Sequence, residues 1–431
     1  MEAAGRAEPI ERQAVGSRLD EALGRSLPAR LFTVSVGLIT LHLLSALAVR
    51  GAGRSGLGRL GSSLLVMVGS FAAVASFRRS GRLLQGGLAL LIGSAATIVG
   101  VGITVARMAK VGISAADYTG MLSLLAGGVL LLLGSGVILA GVRPRRRVLA
   151  IPVGILAFYY FLAPLMLAVY VTHVPATAHS GRTPADVGLS YRDVTMRTSD
   201  GISLSGWYLP SRNGAAVVVL HGSGSTRSEV LDHIAVLARH DYGVLAIDAR
   251  GHGDSGGVAM DLGWYGVLDV DAAISFVARQ PDVDAGRIGV LGLSMGGDEA
   301  LTAAAGDHRI QAVVAEGASA HSFADVGSLG LEGALNMPFY GMAFAAADLM
   351  SPARPPMGLE AAVAGIGPRP VLLISDARGT ESILNRRYQA AAPASTQLWE
   401  LPDTDHTHGI WTHPDQWARR VVGFLGQALL G

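Results

Sequence analysis

Apolar positions change their rhythm once along the chain. Between residues 31 and 171 they run on in five stretches, Leu31–Val49, Leu60–Phe77, Leu83–Ala106, Met121–Gly141 and Val148–Val171. None of these holds an Asp, Glu, Lys or Arg, and His42 is the only titratable side chain in the first. Each approaches or exceeds the ~20 residues that a helix needs to cross a hydrocarbon core about 30 Å thick. Backbone N–H and C=O groups in lipid must be satisfied within the segment, so runs of this kind are helices. The pattern predicts an all-α, five-helix transmembrane module over residues 31–171, preceded by a cytoplasmic tail at 1–30.

Residues 172–190 carry Pro175, Gly181, Pro184 and Gly188 with few apolar positions, and read as a linker. Beyond it, short apolar runs alternate with helical stretches. Tyr191–Arg197 and Ile202–Leu209 read as an antiparallel hairpin. Ala216–Leu220, Val244–Asp248, Arg287–Leu291, Ala312–Ala315, Val371–Ile374 and Gln397–Leu401 read as strands buried on both faces. Glu229–His240, Val267–Arg279, Gly296–Ala305 and Gln416–Leu430 are the helices between and after them. Residues 191–431 are thus expected to form a doubly wound, mostly parallel α/β sheet, with a cap insertion near 316–367 centred on Phe339–Phe344. A helical cap there would favour an apolar acyl or peptide group and exclude water; a packed helix that only covers the sheet is the other reading.

Composition sharpens the division. Half the residues are apolar and 16% are charged, where soluble chains carry closer to about 25% charged residues. The net charge of +1 gives no basic footprint for nucleic acid. The absence of cysteine excludes disulfides, a thiol nucleophile and thiolate metal sites. Basic residues in the loops set orientation. Arginines of the tail, of 78–82 and of 143–147 outnumber the basic residues of 50–59, of 107–110 and Arg182 by twelve to six. The N-terminus is therefore expected in the cytoplasm, and the segment after Val171 outside it, in a multi-pass protein of the cell membrane. A surface helix is one reading of Ile10, Val15, Leu19, Leu23 and Leu27, and a loosely ordered tail the other. His42 is read as hydrogen-bonded to a neighbouring helix, and small residues such as Ala96, Gly100, Gly127 and Gly128 as points of close helix packing.

Three motifs fall at strand ends, where open parallel sheets place their sites. Gly292-Leu293-Ser294-Met295-Gly296 follows a strand and opens a helix, which is the context of a G-x-S-x-G nucleophile elbow. His221-Gly222-Ser223-Gly224 ends the first parallel strand; the backbone N–H groups of Ser223 and Met295 are the expected oxyanion hole, with His221 structural. Asp248-Ala249-Arg250-Gly251-His252-Gly253-Asp254-Ser255 closes the next strand and is read as structural.

With these motifs, residues from about Tyr191 to Leu430 resemble the α/β-hydrolase superfamily, in particular its serine aminopeptidase-like and esterase-like branch. The resemblance implies a chain order of Ser, acid, His. It places the base at His406 in Leu401-Pro402-Asp403-Thr404-Asp405-His406, with His408 and His413 as neighbours in competition. The acid should follow Val371–Ile374, but the usual G-x-x-D is missing, and Glu381 (preferred) and Asp376 remain. Asp403, Asp405, His406, His408 and His413 lack any helical metal-ligand spacing, so no metal and no organic cofactor is expected. The implied activity is cleavage of a small-molecule or lipid-like ester or amide through an acyl-serine, with the bilayer as the other partner and protein partners unknown. The alternatives are a membrane acyltransferase using the same triad, or a non-catalytic membrane-anchored binding protein.

Overall fold

The computed structural model describes residues 27–45, 56–105, 117–173, 181–327 and 329–431. The chain divides into two units, Met1–Val169 and Tyr170–Gly431. Most of the 1–30 tail, the first part of the linker, and Arg50, Arg54, Arg107 and Lys110 lie outside the described residues.

Among the described residues, Leu27–Ser45, Arg82–Val99, Tyr118–Gly141 and Pro144–His173 are helices long and apolar enough to cross a membrane. The second expected run lies in a further helix, Gly56–Arg79, whose side chains are described from residue 63 onward. Leu65, Phe71, Leu125, Leu132, Ile151 and Val153 are all more than half exposed. An apolar outer surface of this kind suits a lipid solvent. The helices Arg82–Val99 and Asp117–Gly141 touch backbone to backbone. A Cβ on Gly93 would come within 2.8 Å of the Gly127 carbonyl, and one on Gly134 within 2.8 Å of the Gly86 carbonyl. Ala96 meets Gly127 and Gly100 meets Leu124, whereas nothing approaches Gly128. His42 Nδ1 lies 3.2 Å from Thr119 Oγ1 on a neighbouring helix, as read from the sequence.

The C-terminal unit is built on eight strands: β1 (Arg192–Arg197), β2 (Ser203–Leu209), β3 (Ala216–Leu220), β4 (Gly243–Ile247), β5 (Ile288–Leu293), β6 (Ile310–Glu316), β7 (Val371–Ser375) and β8 (Thr396–Glu400). Their order in the sheet is β1-β2-β4-β3-β5-β6-β7-β8. β2 runs antiparallel to both β1 and β4, and every other pair is parallel. This is the α/β-hydrolase fold, as the sequence led us to expect. Every residue of β3, β4 and β5 is buried, because helices cover both faces. The last helix, Pro414–Leu429, begins on a proline, which loses nothing at a first helical position. It buries Trp417, Val421, Phe424, Leu425 and Leu429 along one stripe.

Chain order reverses around β3, which has β4 on one side and β5 on the other. Ligand-binding crevices open outside the carboxyl ends of strands at such a switch. Leu220 of β3 pairs with Gly292 of β5, so the segments beginning at His221 and at Ser294 leave the sheet side by side.

Candidate active site

The turn from β5 into the helix Met295–Gly306 holds Ser294 at φ 52° and ψ −121°, a conformation costly for any residue with a side chain. The flanking glycines make it sterically feasible. A Cβ on Gly292 would lie 2.1 Å from the Gly296 carbonyl oxygen, and one on Gly296 would lie 2.6 Å from that of His221. The Ser294 N–H donates to the carbonyl of Glu316 at the end of β6, 2.8 Å away.

His406 reaches this serine from the loop after β8. Its Nε2 lies 2.9 Å from Ser294 Oγ, and its Nδ1 lies 2.6 Å from Glu381 Oε2. The other carboxylate oxygen, Glu381 Oε1, accepts the Asp376 N–H at 3.0 Å. Asp376 turns its own carboxylate to the Arg378 N–H, 2.9 Å away. Of the two acids read from the sequence, Glu381 is the one that meets the imidazole. Its hydrogen bond holds the His406 pKa above the usual histidine value, against the opposing effect of burial. Gly317, at φ 73°, leaves room for the ring, since a Cβ there would stand 2.7 Å from His406 Cε1.

The other histidines of the segment are engaged elsewhere. His413 Nε2 lies 3.0 Å from Asp403 Oδ1, and His408 packs edge-on to Trp411 with ring centres 5.0 Å apart. His221 joins two loops, with Nδ1 2.8 Å from the Gly222 carbonyl and Nε2 accepting the Ala249 N–H at 3.0 Å. Asp248 accepts the N–H groups of Arg227 and Asp254 at 2.8 and 3.0 Å, while Arg250 pairs with Asp269 and Asp200.

Ser223 and Met295 line the same cavity as Ser294, a space of about 120 Å³ that also meets Phe344 of the helix Gly330–Met350. That helix lies in the insertion expected from the sequence, and Trp264 packs against Phe344 with ring centres 6.4 Å apart. A Cβ on Gly222 would sit 3.3 Å from that of Ser294, so the loop after β3 passes directly beside the serine.

Sequence reasoning missed two groups. Glu316 was legible only as the first residue of an insertion, yet its buried carboxylate accepts the Gly409 N–H and the Trp417 indole N–H, each at 2.8 Å. Asp298, Ser319 and His321 line the cavity without belonging to any motif. Only Asp298, four positions after Ser294, stood at a spacing that could have placed it there.

Residues 211–336 match the Serine aminopeptidase, S33 family (Hydrolase_4). The chain is similar to the uncharacterized protein YfhR of Salmonella typhi, 29% identical over 32% of this chain and 47% of that protein. It is also similar to thiohydrolase aneE of Aspergillus aculeatus, 32% identical over 29% of this chain and 41% of that protein. The matched stretch thus spans less than half the length of both curated relatives. The solved Pyrococcus furiosus esterase Pf2001 is 27% identical, with 60% of this chain covering 98% of that one at a TM-score of 0.49. By its strand order and its elbow the C-terminal unit has the α/β-hydrolase fold, and its residues 211–336 are similar to the serine aminopeptidase branch.

Proposed function

We propose that the protein is a membrane-anchored serine hydrolase that cleaves a small-molecule or lipid-like ester or amide. The observation that carries this reading is the pair of hydrogen bonds at His406, with Ser294 Oγ on one ring nitrogen and Glu381 on the other. A serine hydroxyl is a weak nucleophile until a base takes its proton. In the proposed cycle Ser294 Oγ attacks the acyl carbonyl as His406 Nε2 accepts the hydroxyl proton. Glu381 holds Nδ1–H and stabilises the imidazolium that forms. The N–H groups of Ser223 and Met295 receive the charge developing on the carbonyl oxygen. Such donors act mainly in the transition state, and each contributes roughly 10²–10³ in rate. The imidazolium then gives its proton to the departing alcohol or amine, leaving an acyl-serine. Water, activated by the same imidazole, attacks that ester and restores Ser294 with release of the acid. The ordering supported by the arginine count puts the N-terminus in the cytoplasm and this unit outside it, which a reporter fused to the C-terminus tests.

Turnover of p-nitrophenyl acetate by the purified full chain in detergent tests the reaction. The wild-type chain should release p-nitrophenol, and Ser294→Ala should not. Equal release by the two would remove the reading.

A further inference from the structure

The cavity beside Ser294 is lined by apolar Met260, Leu262, Met295 and Phe344 and by two charged or polar groups, Asp298 and His321, each 3% exposed. Asp298 and Ser294 line the same cavity. Its Oδ1 accepts the Ser319 N–H at 2.9 Å and its Oδ2 accepts the Ser319 hydroxyl at 3.1 Å.

His321 is fixed by its backbone. Its N–H donates to Asp325 Oδ2 at 3.1 Å, and its carbonyl accepts the Trp264 indole N–H at 3.2 Å. The ring itself makes no hydrogen bond among the described residues. Its Nδ1 stands 3.7 Å from Asp298 Oδ2, an ion-pair separation too long for a hydrogen bond. Buried polar groups in native proteins are nearly always partnered. Here an immobilised imidazole beside a carboxylate faces a cavity that an acyl chain would enter.

We propose that Asp298 and His321 together bind a hydroxyl carried on a short acyl chain, so that short hydroxyacyl esters are the preferred substrates. The inference rests on Ser294 as the nucleophile. Because Ser294 lines the same space of about 120 Å³, the hydroxyl would sit on a short chain, a few carbons from the carbonyl. An anionic substituent would be repelled by Asp298. An ammonium only donates, so it could meet the carboxylate but could not accept an imidazole N–H. A hydroxyl both donates and accepts, so it can satisfy the carboxylate and the ring together. A plain alkyl chain would displace water from both groups and replace nothing, which is the situation in which polar pockets discriminate most strongly.

The test uses the full chain and three p-nitrophenyl esters: butyrate, 3-hydroxybutyrate and 3-aminobutyrate. Relative to butyrate, kcat/KM for 3-hydroxybutyrate should be higher by about tenfold or more, and 3-aminobutyrate should fall below 3-hydroxybutyrate. His321→Phe should shrink the hydroxyl preference at least about tenfold. Fluorophosphonate labelling checks that this variant is folded, and His321→Asn replaces it if labelling is lost. A wild-type ratio near one, a preference for the amino ester, or a ratio unmoved in the folded variant would overturn the inference while leaving the hydrolase reading intact. Absence of turnover on all three esters together with absence of a Ser294 adduct would end both.

Discussion

The carboxylate of Glu316 accepts the Gly409 N–H at 2.8 Å, three residues past His406. The same residue's carbonyl accepts the Ser294 N–H, and its second carboxylate oxygen holds Trp417. One strand end therefore fixes both the serine turn and the loop that brings the histidine to it. Burial raises the Glu316 pKa, and its two donors oppose that shift.

Glu316→Gln keeps the shape but puts an amide NH2 where one of the two donors already points. We expect kcat to fall about 10–100-fold, an effect of misplacing a base rather than removing it, with KM changed little. Loss of the buried negative charge should also move the acid limb of the kcat/KM profile to lower pH. Unchanged kcat with an unshifted profile would make Glu316 an ordinary core residue.

Glu381 and Asp376 should separate cleanly. Glu381→Gln removes the carboxylate charge that fixes the His406 tautomer and stabilises its imidazolium, and should reduce kcat about 10²–10⁴-fold. Asp376→Asn retains an oxygen for the Arg378 N–H and should cost less than about fivefold. Steady-state rates on one ester decide it, and the reverse ranking would assign the acid to Asp376.

Because Glu381 raises the His406 pKa, the base is neutral only at higher pH than an ordinary histidine. Activity of the wild-type chain should rise with pH through a midpoint above the 6.5 of a free imidazole. In Glu381→Gln the residual activity should titrate lower. A wild-type midpoint below 6.5 would contradict the assigned hydrogen bond.

His233 gives a separate prediction about stability. It is fully buried, both ring nitrogens lack hydrogen-bond partners among the described residues, and Trp417 packs edge-on with ring centres 5.0 Å apart. Burial pushes its pKa down to about 4. The folded unit therefore binds fewer protons than the unfolded chain between that value and 6.5. Its contribution is intact above pH 6.5 and is lost as pH falls toward 4. Linkage puts the loss at about 2 kcal/mol by pH 5. Denaturant unfolding at pH 7 and pH 5 should show this drop, and His233→Leu should flatten it; an equal drop in the variant would locate the effect elsewhere.

The elbow was legible because its requirements are local: two glycines, a strand before and a helix after, all within a few residues of Ser294. The strands were legible for the same reason, as continuous apolar runs such as Ala216–Leu220. The choice between Glu381 and Asp376 was left open because both follow β7 within six residues, and only the loop's path decides which carboxylate turns inward. Glu316 and His321 could not be found at all. Their significance comes from Gly409 and Asp298, 93 and 23 positions away along the chain, and no periodicity encodes such a meeting. Among the membrane runs, apolarity was plain in the sequence, but the Gly93–Gly127 and Gly86–Gly134 contacts depend on how two helices register against each other.

The most direct test of the central claim is to react the purified full chain with a fluorophosphonate and locate the adduct by peptide mass spectrometry. The account predicts one adduct, on Ser294, absent from Ser294→Ala and formed far more slowly in His406→Ala. An adduct on another residue, or labelling of Ser294 at an undiminished rate without His406, would contradict it.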